Sequence, residues 1–429
     1  MAEKELKPIL IITYYWPPSG GAGVQRWLKF SKYLPEYGWR PIIFTPENPD
    51  FDLKDHSLLE DLHPQVEVLK FPIWEPYKFF KKLSGQKELK QGQVLEDGRG
   101  SLLKAFAISL RGNLFVPDPK RFWIKPSVNY LRDILDVNGI KHVVTTGPPH
   151  SMHLIGLKLK YFKPSLIWIA DFRDPWSKWE ILQKMRISQF IWKKHLRLEQ
   201  EVLKAADSLL VTSPGAASEF NELGARKIKV ITNGFDQKDF AEHENNSSNE
   251  LFQISHIGML NEQRSAPKLW EKINQLIEKN SQKRIRVRLT GIISESLKRS
   301  LFKYSSLKGK LEITDSLPHK ELSAVFAQSD LLLLVQSKTD RKQTQLPGKL
   351  FEYLQAKKPI LAIGDIQSDM AEILKYTDSG ECFSFDDGDG IENFLNAVIL
   401  GQRAFQFKNI MTFDRSRLTK DLSDWLFEF

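Results

Sequence analysis

The sequence predicts an α/β protein made of two doubly wound domains in tandem. Three observations carry this: a length of 429 residues, an alternation of strand and helix signals, and one polar interruption past the midpoint. A single hydrophobic core stops growing at roughly 250–300 residues, so a chain this long divides. Apolar residues make up 41% and charged residues 27%, as in ordinary globular proteins, which excludes bulk disorder.

The first strand signal is residues 8–14 (PILIITY). A Gly-rich turn follows, and then Val24, Trp27, Leu28, Ser31 and Leu34 recur at helical spacing. Residues 40–45, 141–146, 165–170, 208–212 and 229–232 are further apolar runs. They are continuous rather than alternating, as in strands buried on both faces of a parallel sheet. Residues 237–250 (QKDFAEHENNSSNE) are polar and Asn/Ser-rich and read as a linker. This bounds an N-terminal domain at 1–236. The alternation restarts at 253–257, followed by a helix with Leu269, Trp270, Ile273, Leu276 and Ile277. Strand signals at 286–290, 330–335 and 359–363 complete a C-terminal domain over 251–405. In the final segment, 406–429, Leu418, Leu422, Trp425 and Leu426 share one helix face.

Residues 71–121 show no clear strand signal and interleave Lys with Trp and Phe. Two readings stand: a surface in contact with an anionic membrane or lipid-linked substrate, or a solvated insertion. No apolar run approaches the ~18–20 residues that span a bilayer. The short N-terminal apolar stretch, broken by PPSGG, reads as a buried strand rather than a signal peptide. The only cysteine, Cys382, precludes an intramolecular disulfide and fits a reducing cytoplasm. A net charge of +9 admits three partners: anionic lipid, phosphorylated ligands and nucleic acid. Nucleic acid is not expected, because basic residues alternate with acids and no recognition motif is present.

The chemistry concentrates in residues 347–352 (PGKLFE). Pro347 and Gly348 open a helix just after the apolar strand DLLLLV. A helix N-terminus offers free N–H groups and positive dipole to a phosphate, at the strand ends where such sheets bind ligands. Lys349 sits in the first turn, where a cation disfavours the helix unless an anion is bound. Glu352, one turn on, can accept two hydrogen bonds from vicinal ribose hydroxyls. The plainer alternative is an amphipathic helix whose Lys and Glu face water.

Residues 347–364 resemble the donor-site segment of family-4 glycosyltransferases, a large retaining family. The resemblance implies a GT-B fold: two Rossmann-like domains facing across a cleft, with the C-terminal helix returning to the N-terminal domain. It implies that Glu352 holds the donor ribose. The family signature is Glu-x7-Glu; here its first position is Thr344, and Gln343 or Gln345 would have to substitute. Residues 256–264 (HIGMLNEQR) are similar to the family segment that places a glycine and then a basic residue near the donor diphosphate. That implies Gly258 and Arg264 as diphosphate ligands beside Gly348 and Lys349. Two cations there neutralise the charge that grows on the leaving group.

Gly20, Gly21 and Gly23 follow the first strand, and glycines let backbone amides approach a ligand closely. The spacing is not G-x-G-x-x-G, and a simple tight turn is the alternative. By resemblance this loop lines the cleft beside sugar or acceptor. The loops at 146–151 (TGPPHS) and 171–176 (DFRDPW) resemble segments of bacterial family-4-like sequences. They imply His150, Asp171, Arg173 and Asp174 as catalytic or acceptor-positioning groups. An Asp–Arg helix-capping pair is the structural alternative. Residues 233–236 (NGFD) look like the turn into the hinge.

No metal ion is expected: His150 and His153 lack a ligand set, and no Cys cluster or strand-terminal Asp-x-Asp occurs. No cofactor is expected either; the nucleotide diphosphate sugar is a substrate. The resulting expectation is a cytoplasmic, metal-independent, retaining glycosyltransferase. It would act at the inner face of a bacterial membrane on a hydroxyl acceptor, such as a lipid-linked glycan, in polysaccharide or lipopolysaccharide assembly. A sugar-nucleotide epimerase and a non-catalytic transferase-like subunit are the alternatives.

Overall fold

The computed structural model describes residues 6–51, 53–76, 112–178, 182, 185, 187–239, 251–280, 284–318, 321–338, 344 and 346–429. The chain forms two compact units, Met1–Thr232 with Leu418–Phe429, and Asn233–Arg417.

The first unit is built on a seven-stranded sheet: β1 (Lys7–Ile12), β2 (Trp39–Pro46), β3 (Glu67–Phe71), β4 (His142–Gly147), β5 (Ile167–Phe172), β6 (Ser208–Val211) and β7 (Ile228–Val230). Its order is β3-β2-β1-β4-β5-β6-β7, with parallel pairing throughout. Parallel strands need crossovers, and the crossover helices bury both faces. Alternate residues of β1 go to opposite faces. Leu10 and Ile12 pack with the helices Ile124–Val137 and Ser151–Phe162, whereas Ile9 and Ile11 pack with Val24, Trp27 and Leu28 of the helix Ala22–Tyr33.

The apolar stripe of the C-terminal helix belongs to that second cluster. Leu418, Leu422, Trp425 and Leu426 are all buried there. Ser423 fixes the register of the packing, since its hydroxyl accepts from Trp39 Nε1 at 3.1 Å and donates to the Tyr37 carbonyl at 3.2 Å.

The second unit repeats the plan with six strands: β8 (Leu251–Ile257), β9 (Arg284–Thr290), β10 (Leu311–Thr314), β11 (Leu331–Val335), β12 (Ile360–Ile363) and β13 (Gly380–Phe383). The order is β10-β9-β8-β11-β12-β13, again parallel. Both units therefore have the two-domain α/β character expected from the sequence. In each, strand order reverses beside the first strand, between β1 and β4 and between β8 and β11. Ligands of such sheets sit at these reversals, outside the carboxyl ends of the strands.

Of the thirteen strands among the described residues, β3, β10 and β13 have no counterpart among the sequence signals. All three lie at sheet edges and have partly exposed residues. Most of the basic, aromatic 71–121 stretch (77–111) and most of the linker (240–250) lie outside the described residues. Among the described residues no helix is long and apolar enough to cross a membrane.

One buried ion pair ties the first unit together. Arg26 and Asp171 are each at most 1% exposed. Arg26 Nε donates to Asp171 Oδ1 at 3.1 Å, while Trp27 Nε1 and the Thr146 hydroxyl donate to Oδ2 at 2.7 and 2.8 Å. The other end of Arg26 donates to the Thr232 carbonyl at 3.0 Å. One carboxylate thus links the helix after β1 with β4 and β5. Truncating it strands a buried guanidinium, so Asp171→Ala should lose about 3–5 kcal/mol of stability. Urea denaturation measures this, and an unchanged midpoint would contradict the tie.

Candidate functional site

In the second unit the backbone ladder between β8 and β11 registers Leu331 with Ile254 and Leu332 with Ser255, and then ends. Backbone groups beyond it still require partners, because a buried unpaired carbonyl or N–H is costly. Side chains supply them. The Leu333 carbonyl accepts from His256 Nδ1 at 2.9 Å and from the Tyr353 hydroxyl at 3.3 Å. The same hydroxyl accepts from the Ile257 N–H at 3.0 Å. Tyr353 is fully buried. It pins the helix Gly348–Ala356 to the ends of both central strands, and so sets where Lys349 and Glu352 stand.

Lys349 and Glu352 do share one face, as their spacing predicts, and they bridge each other at 2.7 Å. The helix has no side-chain cap at Pro347, and a Cβ added at Gly348 would meet nothing within 4 Å. Arg264 ends a short 3-10 turn after β8 (Glu262–Arg264), whose cap is the Asn261 side chain. Its Nε donates to the Ser337 hydroxyl at 3.2 Å and its Nη1 to the Met259 carbonyl at 3.3 Å. Among the described residues it makes no ion pair, and desolvation lowers its pKa. Gly258 has φ +136, a backbone region that side chains rarely adopt, and it opens the turn that carries Arg264. Thr344, where the resemblance would have an acid, is half-buried; Gln343 and Gln345 lie outside the described residues.

Two residues here escaped the sequence reading as site residues. His256, 4% exposed, has an unpartnered Nε2. Burial pushes its imidazole down to about 4, with Arg264 and Lys349 adding to the effect, so both cations lie near it. Gln336 follows β11 and is 3% exposed, and neither of its amide atoms has a partner among the described residues. A Cβ at Gly364 would clash with its Oε1 at 2.2 Å. The available signal was a polar residue near the carboxyl end of each of the two strands β8 and β11.

In the first unit the loops after β1, β4 and β5 meet around Arg173. Its side chain donates to the carbonyl of Gly147 at 3.3 Å and to those of Gly23 and Pro148. Gly21 has φ +84 and forms the N-cap of the helix Ala22–Tyr33, while Gly20 lies against Leu53. Asp171 points into the core and pairs with Arg26 rather than with Arg173. Its acceptor positions are engaged by Arg26, Trp27 and Thr146. His150 is buried, with its ring stacked on Trp176 at 4.8 Å, and burial holds its pKa well below the ordinary value. Asp174 is half-buried; desolvation raises its pKa against the pull of Arg173. The helix Ser151–Phe162 already has an anion at its start. Asp118 accepts from the Ser151 N–H at 2.9 Å and from the Ser151 hydroxyl at 2.8 Å.

No family model matches the sequence, and no curated protein does. Solved structures match over nearly the whole chain. A sucrose-phosphate synthase from Thermosynechococcus elongatus has a TM-score of 0.58 at 13% identity, covering 98% of this chain and 95% of its own. The lipopolysaccharide outer core galactosyltransferase WaaB has a TM-score of 0.58 at 13% identity, covering 98% and 99%. A Listeria monocytogenes protein described as a UDP-N-acetylglucosamine 2-epimerase has a TM-score of 0.57 at 9% identity, covering 99% and 98%. At these identities the likeness establishes the GT-B fold. The reaction has to be argued from the site.

Two outcomes follow from this geometry. Tyr353→Phe removes the hydroxyl that serves Ile257 and Leu333, and should cost about 1–3 kcal/mol in chemical denaturation. Stability should also depend on pH through buried imidazoles. His153 is held neutral, its pKa pushed by burial down to about 3. A depressed folded-state pKa contributes stability that is complete above the unfolded value near 6.5. That stability drains away as pH falls toward the folded value. Comparing wild type with His153→Gln at about pH 6.5 and 4 isolates this group from the raised carboxyls of Asp118, Asp174 and Glu199, which act in the opposite sense. The stability difference should change by about 1.4 kcal/mol per pH unit; parallel profiles would exclude it.

Proposed function

We propose that the protein is a glycosyltransferase that transfers a sugar from a nucleotide diphosphate sugar to a hydroxyl acceptor. The observation that carries the donor half is Arg264. It is a half-buried cation with no ion pair among the described residues, at the strand-order reversal of the second unit. Lys349, in the first turn of a helix without a side-chain cap, acts with Arg264 on the same buried His256. A buried cation without a counter-ion is costly unless an anion arrives.

A nucleotide diphosphate sugar suits this arrangement in two ways. Its diphosphate takes up Arg264 and Lys349 and accepts from the helix N–H groups. Its ribose diol offers Glu352 two donors in place of the Lys349 ammonium, which stands 2.7 Å away. As a glycosyl bond breaks, negative charge grows on the diphosphate, and fixed cations stabilise that change without reorganising. This requires no metal ion. Retention of anomeric configuration rests on the family resemblance alone.

We assign the acceptor to the first unit, where Asp174, with its raised pKa, is the group best suited to take a proton from a hydroxyl. Trp74 and Phe122 are exposed at 62% and 42%, with their rings 4.8 Å apart, and Arg121 lies over Phe122. Exposed aromatics beside a cation favour a lipid-linked acceptor held at an anionic membrane face, as in polysaccharide or lipopolysaccharide assembly.

The shared fold with an epimerase keeps a second reading in play, in which the same nucleotide sugar is isomerised. Nucleotide release separates the two, since a transferase accelerates it only when acceptor is present.

A thermal-shift panel of nucleotide sugars tests the donor site. A ligand at a hundred times its dissociation constant adds about 2.7 kcal/mol of stability. Arg264→Ala and Glu352→Ala should each weaken that ligand by about tenfold or more, as expected for hydrogen bonds to charged groups. No shift with any nucleotide sugar, or undiminished binding by both variants, would refute the assignment.

A further inference from the structure

His256 stands in the proposed donor site without a task in it. Its Nδ1 lies 2.9 Å from the Leu333 carbonyl. A carbonyl only accepts, so Nδ1 carries the hydrogen and the neutral ring presents a bare lone pair at Nε2. That nitrogen is buried and has no partner among the described residues. It faces Gly258, where an added Cβ would come 3.7 Å from it. The charged groups facing it are Arg264, from the turn after β8, and Lys349, from the helix after β11; Glu352 stands behind Lys349 in its bridge. The neighbouring strand contributes the Leu333 carbonyl, and the helix contributes the neutral Tyr353 hydroxyl.

A buried lone pair beside two cations is poorly served. It lacks a donor, and both cations oppose the proton that would turn it into one. A diphosphate reverses both conditions, because it neutralises the cations and needs donors for its oxygens. We propose that His256 Nε2 is a binding residue for the donor diphosphate, and that binding is coupled to uptake of one proton from solvent onto Nε2, which then donates to a diphosphate oxygen. The proton returns to solvent when the nucleotide leaves, so no other reactant is required. This rests on the donor-site reading above. In the ligand-free chain the ring begins neutral across the physiological range, since burial and the two cations hold it near 4.

Calorimetric titration with UDP-glucose, GDP-mannose and ADP-glucose, in buffers of differing ionisation enthalpy, counts the proton directly. The diphosphodiesters of these probes remain ionised throughout, so they contribute none themselves. At about pH 6 the wild type should take up close to one proton per site. The variant His256→Asn keeps a donor for the Leu333 carbonyl; it should bind more weakly and take up none. Histidine 15N chemical shifts in the wild type give the same answer without a variant, with one Nε2 moving from lone-pair to protonated character on ligand addition. Binding without uptake, or with equal uptake in His256→Asn, overturns this inference and leaves the donor site standing. Failure of every probe to bind overturns the donor site and the inference together.

Discussion

The short ladder between β8 and β11 governs the candidate donor site. Parallel strands that stop pairing leave buried backbone groups that need partners, and at this point of the sheet no further strand can supply them. His256 and Tyr353 meet that need through one carbonyl, that of Leu333. The consequences are specific. Tyr353 brings its helix to the strand ends, which places Lys349 and Glu352. His256 is turned so that its other nitrogen faces the Gly258 turn, near Arg264. A requirement of backbone hydrogen bonding thereby positions the helix that carries Lys349 and Glu352.

Charge then distinguishes the two units. Each has a strand-order reversal, and each has a helix starting beside it. In the first unit the helix after β4 has its N-terminus occupied by the Asp118 carboxylate, and the Arg26 guanidinium is paired with Asp171. That helix N-terminus and Arg26 are already matched by anions of the chain, while Arg173 is held by carbonyls. In the second unit the helix after β11 has no such cap among the described residues, where Arg264 is matched by hydroxyl and carbonyl dipoles. A nucleoside diphosphate therefore gains more at the second reversal. In the first unit Arg173 spans three loops through their carbonyls, the frame to which the proposed function assigns the acceptor.

Much of this was legible in the residues. Strands buried on both faces, such as β1, β11 and β12, are largely continuous apolar runs and are legible as such. The edge strands β3, β10 and β13 mix polar with apolar residues, because one side of each is open, and they left no such signal. Lys349 and Glu352 were found because helical periodicity places them together. Asp171 illustrates the opposite case. An acid at the end of a strand, followed by Arg173 and Asp174, looks like chemistry when read locally. Its true partner is Arg26, far away in sequence, and the pair lies in the core. His256 was passed over for a related reason, since nothing nearby in the chain marks which nitrogen is engaged or which cations stand beside it.

By itself the sequence determined the architecture: two doubly wound α/β units, the apolar stripe of the closing helix, and a glycine, a lysine and a glutamate at spacings suited to a nucleotide diphosphate. These follow from local periodicity and turn chemistry, which neighbouring residues encode. Only the tertiary structure decided which charged groups are matched and which are left open. Asp171 became a buried tie, Arg264 remained a cation without an ion pair among the described residues, and the Nε2 of His256 was left without a donor. The physical reason is that desolvation and pairing depend on groups brought together from distant parts of the chain, and no local pattern records them.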